Sequence, residues 1–589
     1  MSKANESGKQ AANRIVNQAY KEYFLIGFAG SFVYTIGTLV DTSISGLLFD
    51  MDALAGVGIT GTFITFYILL SNLLFQGMKV ILGNAVGRGE SEKANRFFSA
   101  AAYVNIGVSI LLGLAIMPFA SQILYLLGAR NAEINAYATT YLRASLIAQV
   151  CHQFAHAPYD YMLMLGYKKE CSFKNVVRSV TNIVASLFLV QVVGMGIEAL
   201  GYGAAIVYIC TFAYLVISYK MHPTSMRFYL RPGKEAFGKM KVALSYAMPD
   251  VTHNMGEFVT GTVLNNAVAL TVGSTGLAIL SLFKTIRQLA TSAIAPSTES
   301  MSALSLTMLG SHDISGLKQT VKGSITIPSI STFVLSTVLF IFRRPVLAVF
   351  GATDPVIVSA MTSAFACLIA VSVFSVLNDT VLNFYTITGH RFISSVSFMI
   401  NCALYTCFAV LLVHTIGVSG IWYAYLANHL VFFATALIVI SVKTGHVPRN
   451  MDEAMLLPEK YYDNKNLLEF SMEVKKNQSF EKIDGIRKFL EDHNYDEATV
   501  YQCEACLEEL LIRVLKDKKK PTYVDIRLFV QDDSLRFSMR DDGPMNNHLI
   551  VDETEKCELN NAGISIVRKM ANTVSYSYMA GFNVLNVKI

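Results

Sequence analysis

The residues of this sequence that could do chemistry are ionisable side chains placed inside long apolar stretches. They are Asp41, His152, His156, Asp160, Glu257, Lys284, Arg287 and Asp379. A charged side chain at the centre of a bilayer costs about 2.5–3.5 kcal/mol unless it faces a cavity or a partner. A carboxylate withdrawn from water can take up a proton, or it can bind Na⁺ together with polar oxygens such as those of Thr42 or Asn265. These residues therefore predict a pathway that binds and releases a cation.

Twelve apolar stretches between residues 20 and 443 must position these side chains. Each has about 20 residues or more, which at roughly 1.5 Å per helical residue is enough to cross a hydrocarbon core about 30 Å thick. Only 15% of all residues are charged and 53% are hydrophobic, and the net charge is +5. No basic patch interleaved with aromatic residues occurs, so nucleic acid is not an expected partner. The sequence predicts a membrane all-α fold of twelve transmembrane helices in the lipid bilayer, followed by a soluble domain.

Lysine and arginine collect in alternate loops. Lys168 and Lys169 follow the fourth stretch and Lys239 and Lys241 follow the sixth, whereas loops such as 49–53 have none. Arg343 with Arg344 is an exception to this alternation. By the positive-inside rule, both termini are expected in the cytoplasm and the chain in the cell membrane.

Matching residues about 220 positions apart indicate an internal repeat. The pairs at an offset of 219 are Asn182 with Asn401, Gly201 with Gly420 and Asp160 with Asp379. Gly166 and Gly389 match at an offset of 223. An even number of helices in each half predicts two six-helix bundles related by a pseudo-twofold axis along the membrane normal. Two such bundles can rock and expose a solute site to each side in turn.

These patterns divide the chain into six predicted parts. They are a cytoplasmic N-terminal segment (1–20), a first six-helix lobe (21–218), a basic cytoplasmic linker (219–242), a second six-helix lobe (243–443), a linker (444–460) and a soluble domain (461–589).

The candidate residues also have structural interpretations. Asp41 could cap a helix irregularity, and Glu257 could form a structural pair with Lys284 or Arg287. His152 and His156 lie one helical turn apart and could satisfy buried hydrogen bonds only. If Lys284 and Arg287 face the pathway, they favour an anionic or zwitterionic solute.

Several segments of the apolar region resemble a known family. They are Leu39-Val-Asp-Thr-Ser-Ile-Ser-Gly46, Ala53-Leu-Ala-Gly-Val-Gly58, Gly87-Arg-Gly-Glu-Ser-Glu-Lys-Ala94, and Met248-Pro249 with Glu257 after it. They are similar to those of multidrug and toxic compound extrusion (MATE) transporters. The resemblance implies antiport against Na⁺ or H⁺, with Asp41 at the cation site of the first lobe and Glu257 and Asp379 at that of the second. Lipid-linked sugar flippases share this topology.

The chain after residue 460 alternates like an α+β domain. Strands are predicted at 467–474, 523–530 and 534–541 and near the C-terminus, with helices at 480–491, 498–516 and 562–571. Pairs of strands with helices on one face would bury a core of this size.

Three segments of this domain resemble the nucleotide-binding boxes of the GHKL ATPase fold, in its anti-sigma-factor serine kinase branch. They are Glu508-Glu509, Asp541-Asp-Gly543 and Asn561-Ala-Gly-Ile-Ser-Ile566. The resemblance implies that Asp541 accepts from adenine, that Gly543 and Gly563 allow the backbone to approach a nucleotide such as ATP, and that Glu509 assists phosphoryl transfer. The family has an asparagine that holds Mg²⁺ where this sequence has Arg513. A guanidinium has donors only and cannot coordinate a cation, so the substitution predicts nucleotide binding without turnover, or a protein-docking domain without nucleotide.

Together these features predict a secondary transporter rather than an enzyme: a cation-coupled exporter of small organic or amphipathic solutes that works by alternating access. It requires no cofactor other than a Na⁺ or H⁺ gradient, and its soluble domain senses ATP or a cytoplasmic protein partner. Two alternatives stay open. One is a flippase for a lipid-linked or anionic solute, and the other is a membrane sensor whose soluble domain binds a cytoplasmic regulator.

Overall fold

Long α-helices account for most of the chain up to residue 444. The computed structural model describes residues 3–87, 91–164, 167–221, 227–310, 313–388, 390–457, 467–473, 484–516, 523–531, 534–544, 546–547, 549, 558–579 and 582–589. The helices are α1 (Lys3–Ile44), α2 (Met51–Gly87), α3 (Ser91–Ile116), α4 (Ala120–Leu126), α5 (Ala132–Met164), α6 (Lys168–Leu187), α7 (Glu198–Met221), α8 (Lys234–Gly238), α9 (Met240–Thr271), α10 (Ser274–Ala290), α11 (Ile294–Gly310), α12 (Ile314–Ile341), α13 (Arg343–Val349), α14 (Pro355–Ile387), α15 (Arg391–Ile416), α16 (Gly420–Thr444) and α17 (Met451–Met455).

The length and composition of these helices fit a multi-pass membrane protein. Eight spans in the described part of the chain are long and apolar enough to cross a membrane. A ninth is added if α10 and α11, which are bent by 45° at a short break, form one span. The twelve spans predicted from the sequence stay a prediction.

Local chemistry explains where several of these helices begin and end. The Asp354 side chain accepts a hydrogen bond from the Val356 amide at 2.7 Å, with Pro355 as the first residue of α14. Carboxylate caps and proline at this position both favour helix initiation. Gly417 follows α15 with a φ of +70° and Gly445 follows α16 with a φ of +78°, a left-handed conformation that favours glycine.

The helices repeat along the chain at a constant offset. The first residues of α2 and α10, Met51 and Ser274, are 223 positions apart. The same offset of 223 separates the starts of α3 and α12, α4 and α13, α5 and α14, and α6 and α15. The internal repeat is therefore present in the order of helices, but the 219-residue pairs chosen from the sequence are not equivalent positions. The pair Gly166 and Gly389 has the correct offset, although both residues lie outside those described.

Two compact units divide the chain. The membrane unit comprises Leu25–Thr298 and Ile325–Val447, and the tail unit comprises Met1–Phe24, Glu299–Ser324 and Pro448–Ile589. Helices α1, α11 and α12 each contribute residues to both units. The six parts predicted from the sequence stay a prediction.

A five-stranded antiparallel sheet with three helices on one face forms the C-terminal part of the tail unit. Its strands are β1 (Leu467–Glu473), β2 (Tyr523–Gln531), β3 (Ser534–Asp541), β4 (Thr573–Met579) and β5 (Phe582–Lys588), in the spatial order β1-β2-β3-β5-β4. The helices are α18 (Asp484–Asp492), α19 (Glu497–Lys516) and α20 (Glu558–Met570). Alternate residues such as Val524, Ile526 and Leu528 are buried with Leu507 and Leu510 of α19 in one apolar core. The elements lie where the alternation predicted them, except that α20 begins four residues earlier. Residues 480–483 of the predicted helix 480–491 lie outside the described residues.

Candidate functional site

Lys284 on α10 joins helices of the two predicted lobes. Its Nζ lies 3.0 Å from Asn265 Oδ1 on α9 and 3.3 Å from Thr62 Oγ1 on α2. Asn265 Nδ2 donates to Thr62 Oγ1 at 3.4 Å. Because Thr62 belongs to the first lobe and Asn265 to the second, the ammonium group stabilises the contact between the lobes. The amide oxygen of Asn265, which the sequence suggested as a Na⁺ ligand, accepts from Lys284 here.

Arg287, one helical turn further along α10, contacts aromatic side chains of α16. Its guanidinium carbon lies 5.2 Å from the ring centroid of Tyr425, and the two side chains also form a hydrogen bond. A cation over a desolvated aromatic ring contributes about 2 kcal/mol. The Tyr425 ring packs edge-on against His429 at 4.5 Å, and Asn378 Nδ2 lies 3.1 Å from His429 Nδ1. Aromatic packing therefore fixes the position of this arginine.

Two carboxylates from different helices lie within electrostatic range of these cations. Asp379 on α14 interacts with Arg287, with Glu257 on α9 and with His253. Glu257 also interacts with Lys284 and Arg287. Glu257 is exposed and Asp379 is partly buried. The structure thus brings four of the predicted residues into one second-lobe cluster that contains two positive and two negative side chains.

Sequence reasoning missed His253, although a signal was present. His253 lies four residues before Glu257 on α9, and residues at this spacing share one helical face. Its ring lies 4.6 Å from Phe398. Tyr425 and His429 also escaped notice because aromatic residues are common in apolar helices and nothing in their spacing points to a neighbouring cation.

The histidines of the first lobe form a separate aromatic group. The rings of His152 and His156 are 5.0 Å apart, and His152 packs against Tyr208 of α7 at 4.8 Å. Arg178 of α6 donates to the Tyr208 hydroxyl at 3.4 Å. At the 223-residue offset of the helices, His156 is equivalent to Asp379, so an ionisable group occupies this position in both lobes. The side chains of Asp41 and Asp160 lie outside the described residues.

Comparison with known proteins identifies the fold. Residues 28–188 match the MatE family model. A solved inward-facing multidrug resistance MATE family transporter aligns with a TM-score of 0.60 at 17% identity, covering 68% of this chain and 92% of that protein. An outward-facing structure of such a transporter aligns with a TM-score of 0.59 at 17% identity, covering 71% and 94%. The membrane unit has the MATE fold. A MATE crystal structure in complex with MaL6 aligns with a TM-score of 0.60 at 16% identity, covering 74% of this chain and 97% of that protein. No curated protein matches the chain.

The tail unit carries the residues that resemble nucleotide-binding boxes. Asp541, at the end of β3, is 3% exposed, and its Oδ1 accepts from the Gly543 amide at 2.9 Å and from Asn583 Nδ2 at 2.8 Å. Asn583 Oδ1 in turn accepts from the Tyr576 hydroxyl at 2.8 Å. These bonds hold the Asp541 carboxylate in one orientation.

The phosphate end of the resemblance fits less well. A Cβ atom at Gly563 on α20 would overlap the side chain of Glu509 on α19, so this glycine permits close packing of the two helices. Arg513 lies one turn beyond Glu509 on α19 and supplies no metal-binding oxygen. Among the described residues, no group of three or more His, Cys, Asp or Glu side chains could hold a metal ion. The described residues therefore do not supply the metal ligands that a magnesium-bound triphosphate would need.

A buried ionic cluster in the tail unit was not predicted from the sequence. Asp313, in the turn between α11 and α12, lies 3.1 Å from Arg527 Nη2 and 2.8 Å from Arg540 Nη2. Both arginines also contact Asp525 on β2, at 3.0 and 2.8 Å. Arg527 further pairs with Glu469 on β1 at 2.8 Å. The cluster lies on the face of the sheet opposite the three helices.

Burial alone would raise the pKa of Asp313, but the positive charges of Arg527 and Arg540 hold it well below its usual range. A carboxylate whose pKa is lower in the folded than in the unfolded state stabilises the fold above the unfolded value, about 3.9, and loses this effect as the pH falls further. The Asp313 carboxylate is therefore charged at neutral pH.

Removing the Arg287 charge tests the second-lobe cluster. In Arg287→Gln, the carboxylates of Glu257 and Asp379 lose their shared cation, and the contact between the guanidinium group and the Tyr425 ring, which contributes about 2 kcal/mol, is lost as well. We expect a lower melting temperature of the detergent-solubilised protein by nanoscale fluorimetry. Arg143→Gln, at an exposed site on α5, is the matched control. Equal melting temperatures for the two variants would contradict the cluster.

Proposed function

We propose that the protein is a cation-coupled exporter of small organic or amphipathic solutes that works by alternating access. The observation that carries the proposal is the second-lobe cluster, in which Glu257 and Asp379 come from different helices and both interact electrostatically with Arg287. The match in fold to transporters solved in inward-facing and outward-facing conformations supports the alternating-access part.

In this mechanism the carboxylates bind the coupling ion while the solute site faces one side. Binding of H⁺ or Na⁺ to Asp379 or Glu257 removes negative charge next to Arg287 and so changes which contacts stabilise the cluster. One cation that crosses a potential of 100 mV supplies about 2.3 kcal/mol for uphill solute movement. Lys284, with acceptors on α2 and α9, responds to the same change in charge and links it to the contact between the lobes.

Neutralising Asp379 should uncouple transport. In reconstituted vesicles, we expect Asp379→Asn to lose solute movement driven by a Na⁺ or H⁺ gradient, because no carboxylate remains at this position to exchange the ion. Glu257→Gln and Asp41→Asn test the other two candidate sites in the same assay. The matched control is Asp354→Asn on the same helix, since asparagine caps a helix as well as aspartate does. Gradient-driven transport that is unchanged in all three variants would reject the mechanism.

A second candidate function is movement of an anionic amphipathic solute, such as a lipid-linked phosphate. The observation in its favour is that α10 carries two cations, Lys284 and Arg287, next to the contact between the lobes. A large anion could displace the hydrogen bonds that Lys284 forms with Thr62 and Asn265.

A solute panel with Lys284→Met separates the two functions. If the solute is an anion, its affinity should fall by about tenfold or more, because a buried charged partner is lost. If the solute is an organic cation, affinity should be unchanged or should rise, since a like charge has been removed. Binding of labelled cations and anions to the purified full chain measures both, and Lys239→Met outside the membrane helices is the control.

For the tail unit, we propose a regulatory domain that binds an adenine nucleotide without transferring its phosphate. The carboxylate of Asp541 and the neighbouring Gly543 support adenine recognition, and Arg513 argues against a magnesium-dependent reaction. A cytoplasmic protein partner is the alternative ligand of this domain.

Calorimetry of the full chain with ATP tests the nucleotide proposal. We expect binding heat that disappears in Asp541→Asn, because an amide in place of the carboxylate presents a donor where adenine needs an acceptor. Asp542→Asn is the neighbouring control, since it makes the same change at a carboxylate that accepts from the Tyr523 amide. Absence of heat in the parent protein would favour the protein-docking function, and phosphorylation of any substrate would contradict the interpretation of Arg513.

A further inference from the structure

The face of the tail sheet that carries Arg527 and Arg540 is buried, although charged side chains lie at its centre. Arg527 is 3% exposed, Arg540 is 6% exposed and Asp525 is 2% exposed. Ionic side chains on a free sheet face would be solvated. Something must therefore cover this face.

The cover is supplied by the turn between α11 and α12. Asp313 is 1% exposed, and each of its carboxylate oxygens contacts a different arginine of the sheet. The backbone of the turn fixes the same carboxylate, because the Gly316 amide donates to Asp313 Oδ1 at 2.7 Å and the Ser315 hydroxyl donates to it at 3.0 Å. Asp313 is thus built into the turn in a position that receives the tail sheet.

The register of the strands prepares the sheet for this contact. Asp525 lies directly opposite Arg540 on β3 and opposite Ser471 on β1, while Arg527 lies opposite Glu469. Cross-strand neighbours of opposite charge stabilise each other and hold both guanidinium groups in place before Asp313 arrives. The sheet alone therefore presents two oriented guanidinium groups, and charge-assisted hydrogen bonds from such groups to a carboxylate are roughly twice as strong as neutral ones.

A second ionic contact extends the same interface. Lys318, in the first turns of α12, pairs with Asp452 of α17 at 2.5 Å. On the other side of α12, Asn17 of α1 donates to Gln319 at 3.3 Å, and the ring of Tyr20 packs against Gly323. The segment 313–323 therefore contacts the sheet through Asp313, α17 through Lys318, and α1 through Gln319 and Gly323.

We propose that Asp313 is the docking point through which Arg527 and Arg540 of the tail sheet restrain helices α11 and α12, so that release of the tail raises the rate of transport. The regulatory part rests on the proposed transport function. Helices α1, α11 and α12 continue from this interface into the membrane unit, and alternating access requires membrane helices to move. An interface held by a few buried ion pairs is suited to release, because displacing or neutralising one partner leaves the other charge buried without compensation and destabilises the whole contact.

Charge reversal with rescue tests the docking. The variants are Asp313→Asn, Asp313→Arg, Arg540→Asp and the double variant Asp313→Arg with Arg540→Asp. Arg536→Asp is the matched control, because it makes the same change on the same strand at an exposed position outside the cluster. Docking is read from maleimide labelling of Ser538→Cys, placed on the buried polar face at a residue that is 2% exposed, in a full chain whose other cysteines are replaced by alanine.

We expect labelling to accelerate by about tenfold or more in Asp313→Arg and Arg540→Asp, because each leaves a buried charge without its partner. The double variant should return labelling towards the parent rate, and Arg536→Asp should match the parent. Asp313→Asn keeps the shape of the turn, so it gives the same test if the charge-reversed chains do not fold. Slow labelling in both Asp313→Asn and Arg540→Asp would overturn the docking point.

Initial transport rates in vesicles test the regulatory part separately. We expect the variants that label fast to transport faster than the parent and the double variant to return to the parent rate. Fast labelling with an unchanged or lower transport rate would refute the restraint while leaving the docking point in place. If the parent moves no solute under any ion gradient, the proposed function fails, whereas the labelling experiment still decides whether the tail docks on Asp313.

Discussion

A charge that is withdrawn from water must find a partner on a neighbouring element, and the packing inside each unit depends on this constraint. Lys284 and Arg287 lie one turn apart on α10 and are both positively charged, so neither can neutralise the other. Lys284 therefore finds acceptors on α2 and α9, and Arg287 finds the Tyr425 ring on α16 and the carboxylates of α9 and α14. Two side chains of one helix thus determine where several other helices can lie.

The same constraint explains how a cation could control the lobes. Arg287 interacts with Glu257 and Asp379 at once, so the cluster has no single fixed partner for this charge. When a bound cation neutralises one carboxylate, Arg287 interacts more strongly with the other carboxylate and with Tyr425 than with the neutralised one. Because these groups belong to α9, α14 and α16, a change of charge becomes a change in the relative stability of helix positions.

The sequence predicted most of the helices and strands but only part of the contacts. Long apolar stretches and strict alternation depend on local spacing, and the structure agrees with both. The internal repeat was recognised at an offset of 219 because identical residues were compared, whereas the helix boundaries give an offset of 223. At this offset, equivalent positions can hold different residues, as His156 and Asp379 do. Glu257 was predicted to pair with Lys284 or Arg287, and the family resemblance placed Glu257 and Asp379 at one cation site. That all four side chains lie in one cluster depends on helix packing, which a single sequence does not reveal. Arg527 and Arg540 were not singled out from the sequence, since the alternation of β2 and β3 shows which residues share a face but not what covers it.

The ionic cluster of the tail unit differs from that of the membrane unit in one respect that bears on regulation. The residues around Arg287 are surrounded by helices that form one compact unit, so this cluster changes only if the unit itself changes. Asp313 and Arg540 also lie in one compact unit, but they are 227 residues apart in the chain and their contact joins a helix–helix turn to a strand. The sheet has its own apolar core with α18, α19 and α20, which does not include Asp313. Losing the contact with Asp313 therefore leaves the fold of the sheet intact, and an interaction that can be lost without unfolding either partner is suited to a switch.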